Sequence, residues 1–168
     1  MRKHINATQI IFLIYCLILA WLVLFKMAFS FYDIPWFAGE RNVNFIPFYY
    51  DKDVGSFHAR EVILNVLIFI PFGVYLKMLD LPWKKVVLIG ALCSLAFEAL
   101  QLAFAIGASD ITDIITNTLG TFFGVLIYAL MRKIFQSKKI TDRIINILAA
   151  NLLGLFLSLT ALLFAFNR

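Results

Sequence analysis

An all-α, polytopic membrane bundle of five transmembrane helices is the fold class this sequence predicts, on three observations. Apolar residues make up 62% of the 168-residue chain and charged residues only 15%, with a mean hydropathy of +0.90. A soluble domain of this size could not cover so much apolar surface. Apolar stretches of roughly 18 or more residues recur five times, each long enough to cross a hydrocarbon core of about 30 Å. Lysine and arginine then gather at alternate ends of those stretches, as cytoplasmic loops require. Five spans of about 20 residues use most of the chain, so residues 1–168 are expected to form one integral membrane domain.

The first span, about residues 10–29, follows Met1, Arg2, Lys3 and His4, which resembles the basic start of a signal peptide. Its apolar run has the length of a full span and no small-x-small cleavage pattern follows, so an uncleaved helix is expected. The connection from Ser30 to Glu61 is predicted to be extracellular. Trp36, Phe37, Phe45, Phe48, Tyr49 and Tyr50 make it aromatic enough to lie at headgroup level, either as an interfacial or re-entrant cover or as a plain anchor. The second span, about 62–79, contains Pro71 and Gly73. Proline removes one backbone donor and leaves the carbonyl of Leu67 without its usual partner, which predicts a packing kink or a bend near mid-span. The third span covers about 86–106 and the fourth about 111–131, where Gly120 and Gly124 form a small-xxx-small pair suited to close helix packing. The fifth covers about 144–166.

Threading five spans alternately puts Arg2 and Lys3, then Lys77, Lys84 and Lys85, then Arg132, Lys133, Lys138, Lys139 and Arg143 on one side. That side is expected to be cytoplasmic, with the N-terminus there and the C-terminus outside. The net charge of +5 is explained by this arrangement, and the basic residues suit anionic lipid headgroups rather than nucleic acid. The chain is accordingly expected to be a multi-pass membrane protein.

Polar residues inside the spans point to a site, because hydrocarbon makes them costly unless they face protein or water. Ser94, Glu98 and Gln101 stand at i, i+4 and i+7, one stripe of the third span. Asp110, Asp113, Asn117, Gly120, Thr121 and Gly124 share one face of the fourth, and the second adds Asn65 with Glu61 a turn earlier. At 1.5 Å per residue Glu98 lies about 20 Å from the cytoplasmic start of its span, Asn117 about 10 Å below the outer end, and Asn65 about 5 Å below it. Three stripes therefore meet at one level, and the short third-to-fourth connection makes those spans antiparallel neighbours. An outer-leaflet pocket lined by Asn65, Glu98, Gln101, Asp110, Asp113 and Asn117 is expected. The competing reading is a clamp in which amides and carboxyls satisfy one another. Against the clamp stands the number of carboxyls, which are costly together unless one is protonated, a cation binds or water enters. Ser109, Asp110 and Asp113 also suit a capped helix N-terminus.

No metal or cofactor is expected. Cys16 and Cys93 are isolated within apolar spans, and His4 and His58 show no zinc spacing.

The motifs "NFIPF", "EVILNVLIFIPFG", "FEALQ" and "DITDIITNTLG", in this order, resemble the VanZ-like family, named for a membrane protein of teicoplanin resistance. The resemblance runs from about Asn42 to Gly124 and falls on Asn44, Pro47, Asn65, Pro71, Gly73, Glu98, Gln101, Asp110, Asp113, Asn117 and Gly120. It adds Asn44 to the pocket. Many members carry an arginine just before the aspartate pair, where this chain has Ala108. The resemblance implies a role in tolerance of lipid-tailed glycopeptides. The expected partners are membrane lipids and an amphiphile, either such an antibiotic or a lipid-linked cell-wall precursor. Two classes compete with this binding role: an intramembrane enzyme using the carboxylates as base or metal ligands, and a small proton-coupled transporter. No nucleophile and base pair, metal motif or phosphate-cradling loop accompanies the carboxylates, and only one span is interrupted. Binding rather than catalysis is the expected role.

Overall fold

Backbone inside hydrocarbon has no water to bond, so an apolar run of span length satisfies its own amides as a helix. The computed structural model describes residues 7–25, 43–48, 59–106 and 109–166. They form five helices, α1 (Ala7–Phe25), α2 (Ala59–Met78), α3 (Trp83–Phe104), α4 (Ile111–Phe135) and α5 (Lys138–Phe166), and two short strands, β1 (Val43–Asn44) and β2 (Ser109–Asp110). All five helices are long and apolar enough to cross a membrane. The protein is an all-α, multi-pass membrane protein.

The helices exceed the apolar runs where polar residues extend them. α5 starts at Lys138, six positions before the predicted span, because helical bonding does not require apolar side chains; the Thr141 N–H already donates to the Ser137 carbonyl at 3.0 Å. α4 likewise continues through Arg132 and Lys133 to Phe135. Cations in a last turn suit the negative end of the helix dipole.

The chain divides into two compact units whose boundaries fall within α1 and α4. One comprises residues 18–129 and holds α2, α3, the strands, the end of α1 and most of α4. Its core includes the fully buried Phe69 and Val86, with Phe69 edge-on to Phe72 and to Phe97. Glycines set the helix spacing. A Cβ at Gly120 would strike the Val66 carbonyl oxygen, one at Gly124 that of Ile70, and one at Gly73 that of Thr121. The backbones of α2 and α4 are therefore in direct contact, and the Pro71 to Gly73 segment lies within that contact; α2 is a continuous helix through Pro71. Gly90 of α3 meets the Thr121 side chain in the same way.

The α2 to α3 turn is tight. Asp80 takes a left-handed conformation with φ of 60°, the Lys77 ammonium donates to the Leu81 carbonyl at 2.8 Å, and Pro82 precedes the first residue of α3. α3 ends with Ala105 at φ of 49°, where the Ile106 N–H returns to the Gln101 carbonyl at 3.1 Å, a Schellman-type closure.

The other unit comprises residues 1–17 and 130–168, and holds the start of α1, the end of α4 and α5. Thr141 and Ile145 are buried, and the Asn146 amide donates to the Thr8 hydroxyl at 2.7 Å, fixing the first turn of α1 to α5. Farther along α5, Asn151, Ser158 and Thr160 bond carbonyls of their own helix, which leaves a surface that lipid can cover.

Candidate polar site at the start of α4

Within the unit of residues 18–129, the site is built around the N-terminus of α4, where four amide groups lack intrahelical partners. Asp110 is the residue before the helix, and its Oδ1 accepts from the Thr112 N–H at 2.7 Å. This is an N-cap bond, so Asp110 and not Ser109 is the capping residue; the Ser109 hydroxyl instead donates to the Glu98 carbonyl at 2.9 Å. The second carboxylate oxygen of Asp110 accepts from the Asn44 amide at 3.2 Å. One carboxylate thus caps a helix and anchors a loop.

The loop is held at two further points and shaped by one turn of its own. β1 pairs with β2 in parallel, with Val43 opposite Ser109 and Asn44 opposite Asp110. Asn44 Oδ1 accepts from the Ile46 N–H at 3.0 Å, a local Asx turn. The Phe48 N–H donates to the Thr112 hydroxyl at 3.0 Å. Residues 43–48 therefore lie against the first turn of α4, while Trp36, Phe37, Tyr49 and Tyr50 of the same aromatic loop lie outside the described residues.

The other members come from α2 and α3. The Asn65 amide donates to Asp113 Oδ1 at 2.7 Å, and Glu98 Oε2 accepts from the Asp110 N–H at 3.0 Å. The Asn117 amide donates to the Ser94 hydroxyl at 2.8 Å, and that hydroxyl stands 3.5 Å from the Asp113 carbonyl oxygen. Asn44, Asn65, Glu98, Asp110, Asp113 and Asn117 are thereby brought together across β1, α2, α3 and the start of α4. Gln101 is not part of that group. Its amide turns to the Val23 carbonyl on α1 at 2.9 Å.

Burial separates the members into two tiers. Glu98 is 4% and Asn117 1% exposed, whereas Asn44, Asn65, Asp110 and Asp113 are half-buried. The accessible tier carries two carboxylates, each gripped by an asparagine amide from another segment. Among the described residues, Gln101 Oε1 and Asn117 Oδ1 are buried acceptors without a hydrogen bond. Buried amide oxygens of this kind call for water or an incoming donor. The arrangement is rich in acceptors and suits a ligand rich in N–H or O–H donors. Among the described residues no three histidine, cysteine, aspartate or glutamate side chains are grouped to hold a metal ion.

Sequence reasoning placed Thr121 on the inward face of α4 but passed over Thr112 and Thr116. Thr112 receives the loop, Thr116 donates to the Asp113 carbonyl at 3.2 Å, and Thr121 to the Asn117 carbonyl at 3.0 Å. Threonine is neutral in hydropathy, so an apolar profile does not flag it. The spacing of Asp110 and Asp113 did contain a usable signal, since an aspartate followed three residues later by an acid marks a helix start.

The VanZ/LLP1 family model matches residues 12–135, a stretch that contains every residue of the polar cluster. Protein VanZ of Enterococcus faecium is 40% identical over 149 residues, covering 86% of each chain. No solved structure matches. With the family pattern spanning most of the chain and a relative this similar over nearly its whole length, the chain belongs to the VanZ/LLP1 family.

Proposed function

We propose that the protein is a non-catalytic binder of an amphiphile, whose polar head enters the site at the start of α4 from the outer leaflet and whose tail lies along apolar helix faces. The observation that carries this reading is the pair of half-buried carboxylates, Asp110 and Asp113, each steered by an asparagine amide with Glu98 buried behind them. Such a site favours a head with amine or hydroxyl donors. A glycopeptide with amines or a lipid-linked cell-wall precursor has that chemistry. The family resemblance to a teicoplanin resistance protein supports the first. Hydroxyls at the site serve structure: Ser94 receives Asn117, Ser109 bonds a carbonyl and Thr112 receives the Phe48 N–H. That pattern supports binding over nucleophilic catalysis. The outer position rests on the lysine and arginine distribution.

The test compares teicoplanin with vancomycin susceptibility in cells with and without the protein, and with Glu98→Gln, Asp113→Asn and Asn117→Ala. A tolerance confined to the lipid-tailed drug and lost in the variants at unchanged membrane abundance is expected. Loss of abundance in step with loss of tolerance would instead mark a structural clamp. Turnover of a lipid-linked precursor by purified protein, abolished by Asp113→Asn, would reject the non-catalytic reading.

A further inference from the structure

The unit of residues 1–17 and 130–168 contains a groove of its own. It has a volume of about 760 Å³ and is lined by Ala7 of α1 and by Lys139, Ile140, Asp142, Arg143, Asn146, Ile147 and Ala150 of α5. Lys139, Arg143, Asn146, Ile147 and Ala150 recur at helical spacing, so they form one stripe down α5. The Asn146 bond to Thr8 holds α1 in place as the opposite wall.

The stripe changes character along its length. Two cations stand at its head, an amide follows, and isoleucine and alanine complete it. At 1.5 Å per residue, Ala150 lies about 16 Å along the axis from Lys139. With Lys139 at headgroup level, the far end of the groove is therefore well inside the hydrocarbon, where a soluble anion or a peptide backbone would be costly. The head is net positive, with Lys139 and Arg143 against Asp142, and lies in a stretch carrying Arg132, Lys133 and Lys138 as well. The side chains of Lys139 and Arg143 make no hydrogen bond or ion pair with another described residue. Charge at one end and apolar lining at the other match one occupant.

We propose that this groove binds an anionic glycerophospholipid, its phosphate between Lys139 and Arg143 and an acyl chain along Ile147 and Ala150. Site and ligand are separate from those at the start of α4, and most of the groove lies on α5, beyond the residues that the family model matches.

Full-length protein in phosphatidylcholine nanodiscs, given trace phosphatidylglycerol with a diazirine in its acyl chain, tests this by mass-spectrometric mapping of the adducts. Adducts concentrated on residues 140–150 are expected, falling about five-fold in the double variant Lys139→Gln/Arg143→Gln through loss of both cations. Lys84→Gln/Lys85→Gln, which removes equal charge from the α2 to α3 turn, should leave them unchanged. Ile147→Trp fills the apolar half while keeping both cations, and should lower labelling as well. Adducts spread evenly to the end of α5, an equal fall in the Lys84/Lys85 control, equal labelling by a phosphatidylcholine probe, or displacement by inorganic phosphate would each overturn the proposal.

Discussion

At the scale of single residues, Asp110 joins two tasks that substitution can separate. Its Oδ1 caps α4 and its Oδ2 holds Asn44, so Asp110→Ala should lose both bonds and cost about 1 kcal/mol or more, whereas Asp110→Asn keeps the cap, sets an NH2 against the Asn44 amide, and should lose less. Unfolding by detergent titration, followed by circular dichroism, reads the difference; equal losses in both variants would show that charge and not capping matters. The Asn65 to Asp113 bond is a cross-helix pair at 2.7 Å, and a double-mutant cycle with Asn65→Ala and Asp113→Ala should return a coupling of about 1 kcal/mol. A coupling near zero would mean that each side chain finds another partner when its mate is removed. Helical arithmetic was enough to place Glu98 and Asn117 on inward faces, because a stripe follows directly from spacing. It could not assign partners. Gln101 shares the Glu98 stripe yet bonds the Val23 carbonyl, and a one-dimensional period carries no information about which neighbouring helix end lies opposite.

Among the elements, the contact between α2 and α4 is the most demanding of exact side-chain size. Gly120 and Gly124 stand against the Val66 and Ile70 carbonyls, so Gly120→Ala or Gly124→Ala must push two backbones apart, at a cost of about 1–3 kcal/mol each. Gly154 on α5 has open space where a Cβ would stand, and Gly154→Ala should be neutral or gain up to about 1 kcal/mol from helix propensity. The same unfolding assay separates them, and equal behaviour of the three alanines would remove the packing argument. At the end of α4, exposed Gln136 sits at φ of 50°, a left-handed position that costs a side chain. Gln136→Gly should therefore stabilise by about 0.5–1 kcal/mol, and a destabilisation would show that the glutamine makes contacts that outweigh its backbone strain. The five helices were legible because each combines span length with a predominantly apolar composition. Their ends were not, since hydropathy marks where hydrocarbon begins while hydrogen bonding marks where a helix begins, and α5 starts within the basic stretch. The two-residue strands carry too few positions to show any period, so β1 could not be read from spacing.

For the whole molecule, threading five spans alternately requires the α1 to α2 and α3 to α4 connections to share one side of the membrane. The parallel pairing of Asn44 with Asp110 meets that requirement directly, since it joins a residue of the first connection to a residue of the second at the start of α4. Which side this is follows from charge: Lys77, Lys84 and Lys85 flank the α2 to α3 turn and Lys138, Lys139 and Arg143 begin α5, so these ends should face the cytoplasm. Single cysteines placed in a background with Cys16→Ala and Cys93→Ala give the measurement in intact cells. A thiol reagent that does not cross the membrane should label Lys52→Cys, in the long connection, and leave Lys138→Cys unlabelled until the membrane is opened. Reversal of that pattern would turn the polar site toward the cytoplasm, away from any extracellular glycopeptide, and would set the proposed phospholipid groove in the outer leaflet. The same two cysteines therefore test the orientation on which both binding proposals draw, independently of whether either ligand binds.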